Sequence, residues 1–165
     1  MDLPSEWAGQ SSEDHRATVL LRHEHEVLLE MFRRQREPAL EPVTRRAELQ
    51  REIMALIELI HRIERDVFFP ALPSEYAPLV RSFVADHDGL ARCVAAGRRA
   101  AGNTARANFN GERLECLARE HVAYEETLLF NAVEREHPDL NRALYDRLVA
   151  ARARMAESPA SHATH

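Results

Sequence analysis

The chain has 165 residues, 45% hydrophobic and 30% charged, with a formal net charge of −5. That length suits one domain with a core of its own, and the composition suits a soluble globular protein. A pI near 6.0 gives no reason to expect nucleic acid as a partner, and no segment is apolar for long enough to span a bilayer.

Only 5 Gly and 6% aromatics, set against abundant Ala, Leu, Glu and Arg, favour helices over strands. The opening MDLPSEWAGQSSED is polar and acidic, unlike a signal peptide, so the expected location is cytoplasmic. Cys93 and Cys116 form no CxxC and are expected to be reduced core or near-core residues. All 22 basic residues are Arg, and 9 His stand out beside them.

Residues 1–12 read as a flexible lead. Ser11 or Ser12, followed by Glu13 and Asp14, predicts a helix start, and Pro38 ends that first helix after about Arg36. Leu21, Leu28 and Phe32 form its apolar stripe, completed by His25. Pro42 and Thr44 open a second helix predicted to reach Phe69, with Ile53, Leu56, Ile57, Ile60, Glu64 and Phe68 on one face and His61 alongside. Pro70 and Pro73 end it.

Ser74 and Glu75 begin a third helix, with Pro78 in its first turn. Val80, Phe83, Val84, Leu90 and Val94 are its stripe, and His87 lies on it. Gly102 and Asn103 break this helix, and GNTARANFNG reads as a loop. The fourth helix carries Leu114, Leu117, Ala118, Leu128 and Ala132 toward the core and ends near Glu136. A shorter fifth helix, from about Asp139 to Arg154, carries Leu140, Leu144, Leu148 and Val149. The tail ESPASHATH reads as disordered.

Long amphipathic helices with short connections predict an all-α fold: an up-down-up-down four-helix bundle with an additional short C-terminal helix. The expected divisions are the lead at 1–12, the bundle at 13–137, the C-terminal helix at 138–156 and the tail at 157–165.

The fourth helix places His121 and Glu125 four residues apart, on one face within the apolar stripe. A carboxylate facing a core is costly unless a charge holds it there. The other helices repeat the theme. Glu24-His25-Glu26-Val27-Leu28 and Asp86-His87-Asp88-Gly89-Leu90 share an acidic–His–acidic–x–Leu pattern. His61, Glu64 and Val67-Phe68-Phe69-Pro70 parallel His121, Glu125 and Leu128-Leu129-Phe130-Asn131. His25 and His87 are 62 residues apart, and His61 and His121 are 60 apart, as a duplicated helical hairpin would give. Four histidines and two glutamates then point inward. Such a set suits two metal ions close together, and imidazole with carboxylate but no thiolate fits iron, zinc or manganese. The alternative is a buried polar network with no metal.

The pattern resembles the hemerythrin-like, or HHE cation-binding, family over residues 15 to 137. Glu24-His25 and Asp86-His87 match the family's acidic–His pairs, and His121, Glu125, Glu126 and Leu129-Phe130 match its His–x–x–x–Glu–Glu run, with Asn131 where Pro is common. The second helix departs from it: Arg65 stands four residues after His61, and the carboxylate is Glu64, three residues on. Glu64 then either ligates from a shifted position or leaves only one metal site well occupied. Ala91 stands where oxygen-carrying members have a further His, which argues against simple oxygen carriage.

The resemblance implies metal ligation by His25, His61, Glu64, His87, His121 and Glu125 around two iron ions, oxo- or carboxylate-bridged, with zinc or manganese as other candidates. It implies a small diatomic or peroxide ligand, with neither nucleic acid nor a membrane as partner. Turnover, such as peroxide breakdown, is open. The rival is a metal-stabilised interaction module, with zinc as its structural ion. Glu24, Asp86 and Glu126 are the expected outer partners of the ligands. His23 points about 160° away from His25 around the helix and is expected at the surface. Tyr124 is expected to pack at a core edge.

Overall fold

The computed structural model describes residues 15–37, 43–99 and 104–157, and in these ranges every extended element is helical. The order is α1 (Ala17–Gln35), α2 (Val43–Ile63), α3 (Ala77–Arg99), α4 (Thr104–Tyr124), α5 (Asn131–Glu136) and α6 (Pro138–Glu157). The lead, the Ser11–Ser12 helix start, the Pro38 stop, Pro42, the Gly102-Asn103 break and the tail from Ser158 lie outside the described residues.

Two of the helices do not end where their α-geometry ends. α2 runs into a π-helical stretch, Glu64–Phe68, and then a 3-10 turn, Phe69–Ala71. α4 runs into a second π-helical stretch, Glu125–Phe130, and on into α5. The wider turns are visible in their bonds: Phe69 N–H donates to the Glu64 carbonyl, and Asn131 N–H to the Glu126 carbonyl, each spanning five residues. Both stretches begin at a carboxylate singled out in the sequence.

α1, α2, α3 and α4 pack as a ring in which each touches two of the others, and α6 lies against α1 and α2. Their apolar stripes form two clusters. One is largely aromatic at its centre, with Phe68, Phe69, Tyr76, Phe83 and Phe130 beside Leu20, Leu21 and Leu129. The other is largely aliphatic, with Ile53, Ile57, Ile60, Leu90, Val94 and Leu114 around Phe32. The order in which the chain meets them alternates. α1 passes from the aromatic cluster through His25 to Leu28 and Phe32, and α2 passes back through the His61–Glu64 turn to Phe68. α3 and α4 repeat this around His87 and His121. A layer of histidine and glutamate thus separates two oily halves.

Several expectations need correction. α1 begins at Ala17, with Arg16 extended before it. Its own N-terminus has no local side-chain cap; Asn141 of α6 supplies one from a distance, accepting from Thr18 N–H at 3.0 Å. Asn141 Nδ2 also donates to Thr18 Oγ1 at 2.9 Å, and that hydroxyl donates to Glu134 at 2.7 Å. α4 begins at Thr104, so most of the expected GNTARANFNG loop is helix. One Gly inside a helix costs only about 1 kcal/mol relative to Ala, too little to stop a helix whose later turns bury Leu114 and Ala118.

α6 is not short: its 20 residues match α1, because Leu144, Leu148 and Ala151 are all buried against the bundle. Val149 is on its outer face and exposed. Leu128 is 48% exposed rather than core-facing. The π-helical stretch holds one more residue than an α-turn, so the inward register after Glu125 moves to Leu129, Phe130 and Val133. Tyr124 is 62% exposed, since His121, Val122 and Glu125 fill the inward arc of that turn. Both cysteines are free, but Cys116 is exposed, lying across the helix from Leu114 and Ala118.

Candidate metal centre

The four helices deliver six side chains to the layer between the clusters. They fall into two groups whose ligand atoms lie within 4.8 Å of one another: His61, His87 and His121 in one, His25, Glu64 and Glu125 in the other. Five of the six are buried, and His61 is half-buried. All six residues singled out by spacing converge here. His23 does not: it is on the exposed side of α1. Of the remaining described histidines, His15 is exposed and stacks on Tyr145, and His137 lies beside Glu75 at the α5–α6 turn.

The two glutamates connect the groups. Glu64 sets one oxygen 3.4 Å from His25 Nε2 and the other 3.2 Å from His87 Nε2. Glu125 Oε2 is 3.6 Å from His25 Nε2 and also 3.6 Å from His121 Nε2. The three-residue spacing from His61 to Glu64 therefore does not turn this carboxylate away; it enters the layer fully buried. Arg65, which takes the usual place of the carboxylate, is exposed and pairs with Asp88 at 3.8 Å.

The rings are held from the aromatic side. Phe130 stacks on His25 with centroids 5.7 Å apart, Phe69 stacks on His87 at 5.6 Å, and Phe83 meets His121 edge-on at 5.7 Å. The sequence displayed Phe69 and Phe130 as the ends of the repeated hairpin, but not their grip on the imidazoles. On the aliphatic side, a cavity with room for about one water-sized molecule opens between His25, His61 and His121 and the side chains of Leu28, Ile60 and Leu90.

The outer partners are unequal. His25 Nδ1–H donates to Glu126 Oε1 at 2.9 Å, across from α1 to the stretch after α4. Asp86 stands 3.8 Å from His121 Nδ1, beyond hydrogen-bond length. Glu24 does not serve a ligand: it is buried and paired with Arg152 of α6, a residue that no local sequence pattern singles out.

As protein alone, the layer is poorly satisfied. Both oxygens of Glu64, both oxygens of Glu125 and His25 Nε2 are buried without a hydrogen-bond partner. Buried polar atoms nearly always find partners, and five such atoms aimed at one another are what a cation site leaves when only its ligands are counted.

The proton balance reflects the same shortage of positive charge. Burial opposes the charged form of His25, but the hydrogen bond to Glu126 and the nearby carboxylates of Glu64 and Glu125 outweigh it and push the ring up to about 10. Burial also opposes ionisation of Glu64, yet the imidazoles of His25 and His87 beside it hold it below the usual carboxylate range. Burial, then the charge of Glu64, raises Glu125 well above that range. Burial, with other imidazoles close by, lowers His61 to about 2 and, with Glu64 working against it, His121 to about 4. One imidazolium between two carboxyl groups is a weak substitute for a metal ion. The donor set of nitrogen and oxygen without sulfur fits iron, manganese or zinc.

Comparison with known proteins gives one family. The model described as Hemerythrin HHE cation binding domain matches residues 16–133. No curated protein and no solved structure gives a significant match. Among the described residues, no helix is long and apolar enough to cross a membrane.

Proposed function

The chain belongs to the hemerythrin HHE cation-binding family, and from that premise we propose that it is a cytoplasmic, non-haem di-iron protein. It binds, senses or detoxifies a small oxidant or gas (dioxygen, peroxide or nitric oxide), or handles iron. The observation that carries this reading is the pair of shared carboxylates, Glu64 and Glu125, each near a histidine of both groups and each without a hydrogen-bond partner on either oxygen. A single structural ion has no use for two such bridges.

In this reading His61, His87 and His121 would hold one iron, His25 would hold the other, and Glu64 and Glu125 would serve both. The alternation of clusters along the helices supports an up-down-up-down course for the bundle. Bound iron supplies a coordination position for a small molecule and a change of oxidation state. The chain's own residues do the rest. The His25 group has one imidazole beside the two shared carboxylates, against three imidazoles in the other group, so an ion held there would keep the more open coordination. Leu28, Ile60 and Leu90 keep the adjoining cavity small and apolar, suited to a diatomic or peroxide-sized guest and unsuited to a larger polar one.

Metal analysis of protein purified without added metal, with an absorption spectrum, tests this. About two irons per chain and a charge-transfer band are expected for a bundle-core site of this kind. About one zinc per chain and a featureless spectrum would overturn it in favour of a structural ion.

A further inference from the structure

Resting on the two-ion reading, we infer that Glu126 is a positioning residue for His25, and that it governs metal retention at the His25–Glu64–Glu125 group while leaving the three-histidine group unaffected. Glu126 directly follows Glu125 in the π-helical stretch, so the two side chains diverge around the helix. Glu125 enters the core, and Glu126 emerges half-buried beside α1, with its side chain 29% exposed. There its carboxylate receives His25 Nδ1–H at 2.9 Å.

The packing around His25 cannot do this job. Phe130 lies nearly parallel to the imidazole, with 7° between the ring planes, and so sets the plane of the ring. A flat apolar neighbour does not distinguish ring nitrogen from ring carbon, and a half-turn about the Cβ–Cγ bond keeps the same plane. The hydrogen bond to Glu126 breaks that symmetry. With Nδ1 carrying its proton outward, Nε2 is the nitrogen left facing Glu64 and Glu125.

Two of the other group's three rings have no equivalent. Nδ1 of His87 and Nδ1 of His121 are both buried without a hydrogen-bond partner. That group has three imidazoles to share the work, whereas the His25 group has one. Loss of orientation at His25 removes the only nitrogen donor its ion would have there, so the effect falls on one ion of the two.

Titrating the metal-free protein with cobalt(II), and reading both the number of ions bound and the affinity of each step by calorimetry, tests this. Wild type is expected to show two steps. Glu126→Ala should keep one step at wild-type affinity and weaken the other by about 10- to 100-fold, the usual effect of removing a partner of a ligating histidine. Glu126→Gln, whose amide oxygen still accepts from Nδ1–H, should recover part of the loss, a graded response that general unfolding would not give. Two unchanged steps in Glu126→Ala, or equal weakening of both, would overturn the role of Glu126 while leaving the two-ion reading intact. A wild-type protein that takes no second cobalt would overturn the two-ion reading, and this inference with it.

Discussion

The two halves of the core are built from different materials. On one side of the histidine layer, Phe69, Phe83 and Phe130 lie flat or edge-on against His87, His121 and His25, and α6 closes that side through Leu144 and Leu148. On the other side the neighbours are Leu28, Ile57, Ile60 and Leu90, with a small cavity left among them. Aromatic rings are rigid and give the imidazoles a defined plane to rest against. Branched aliphatic chains seal out water but leave space at the ligands' open flank. One half orients and the other admits, and the difference can be tested by damaging each in turn.

The largest effect is expected on the orienting side. Phe130→Ala should cost roughly 3–5 kcal/mol, as for other buried Phe→Ala changes, and should also lower metal content, because His25 loses the ring it stacks on. Ile57→Val on the admitting side should cost only about 0.5–1.5 kcal/mol with metal content unchanged. Urea unfolding and elemental analysis of both variants check the pair, and equal metal loss would erase the distinction drawn between the halves.

Next comes the buried carboxylate that flanks the layer. Arg152→Ala leaves Glu24, buried on α1, without the guanidinium that holds it. A loss of about 1–3 kcal/mol is expected for an abandoned buried acceptor. The double variant Arg152→Ala with Glu24→Gln should recover part of it in the same unfolding assay.

A smaller change is expected from Asn141→Ala, which deletes the distant cap of α1 and its bond to the Thr18 hydroxyl. Losing an N-terminal cap costs about 0.5–2 kcal/mol. Amide exchange should show faster opening at Thr18 and Val19, with the protection of α3 unchanged.

His23→Ala marks the floor. An exposed position two residues from His25 should change stability by less than about 0.5 kcal/mol and leave metal content at the wild-type value by elemental analysis. Metal loss there would show that the first helix offers a different ligand.

The sequence made the centre legible for a physical reason. Ionisable groups inside an apolar stripe are rare enough that His25, His61, His87, His121 and Glu125 stood out, and the repeated hairpin gave their pairing. Glu64 was legible as a candidate but not as a bridge, since spacing along one helix says nothing of the oxygens' reach to His25 and His87. The register beyond Glu125 was misread because periodicity assumes a constant turn, and a π-helical stretch adds one residue without changing composition. That is why Leu128 faces solvent, whereas Tyr124, ahead of the stretch, does so because His121, Val122 and Glu125 fill the inward arc of its turn. Asn141 and Arg152 left no signal at all: their partners Thr18 and Glu24 lie more than a hundred residues away, and no local pattern carries such a contact.

The match to the family ends at residue 133, before α6 begins at Pro138. A laboratory version trimmed to that boundary would look sensible on an alignment. It would also remove Leu144 and Leu148 from the floor of the aromatic half, the amide side chain that finishes the start of α1, and the guanidinium beside Glu24. Anyone shortening this chain for crystallisation, or grafting its centre into another scaffold, should carry the last helix along with the four that hold the ligands.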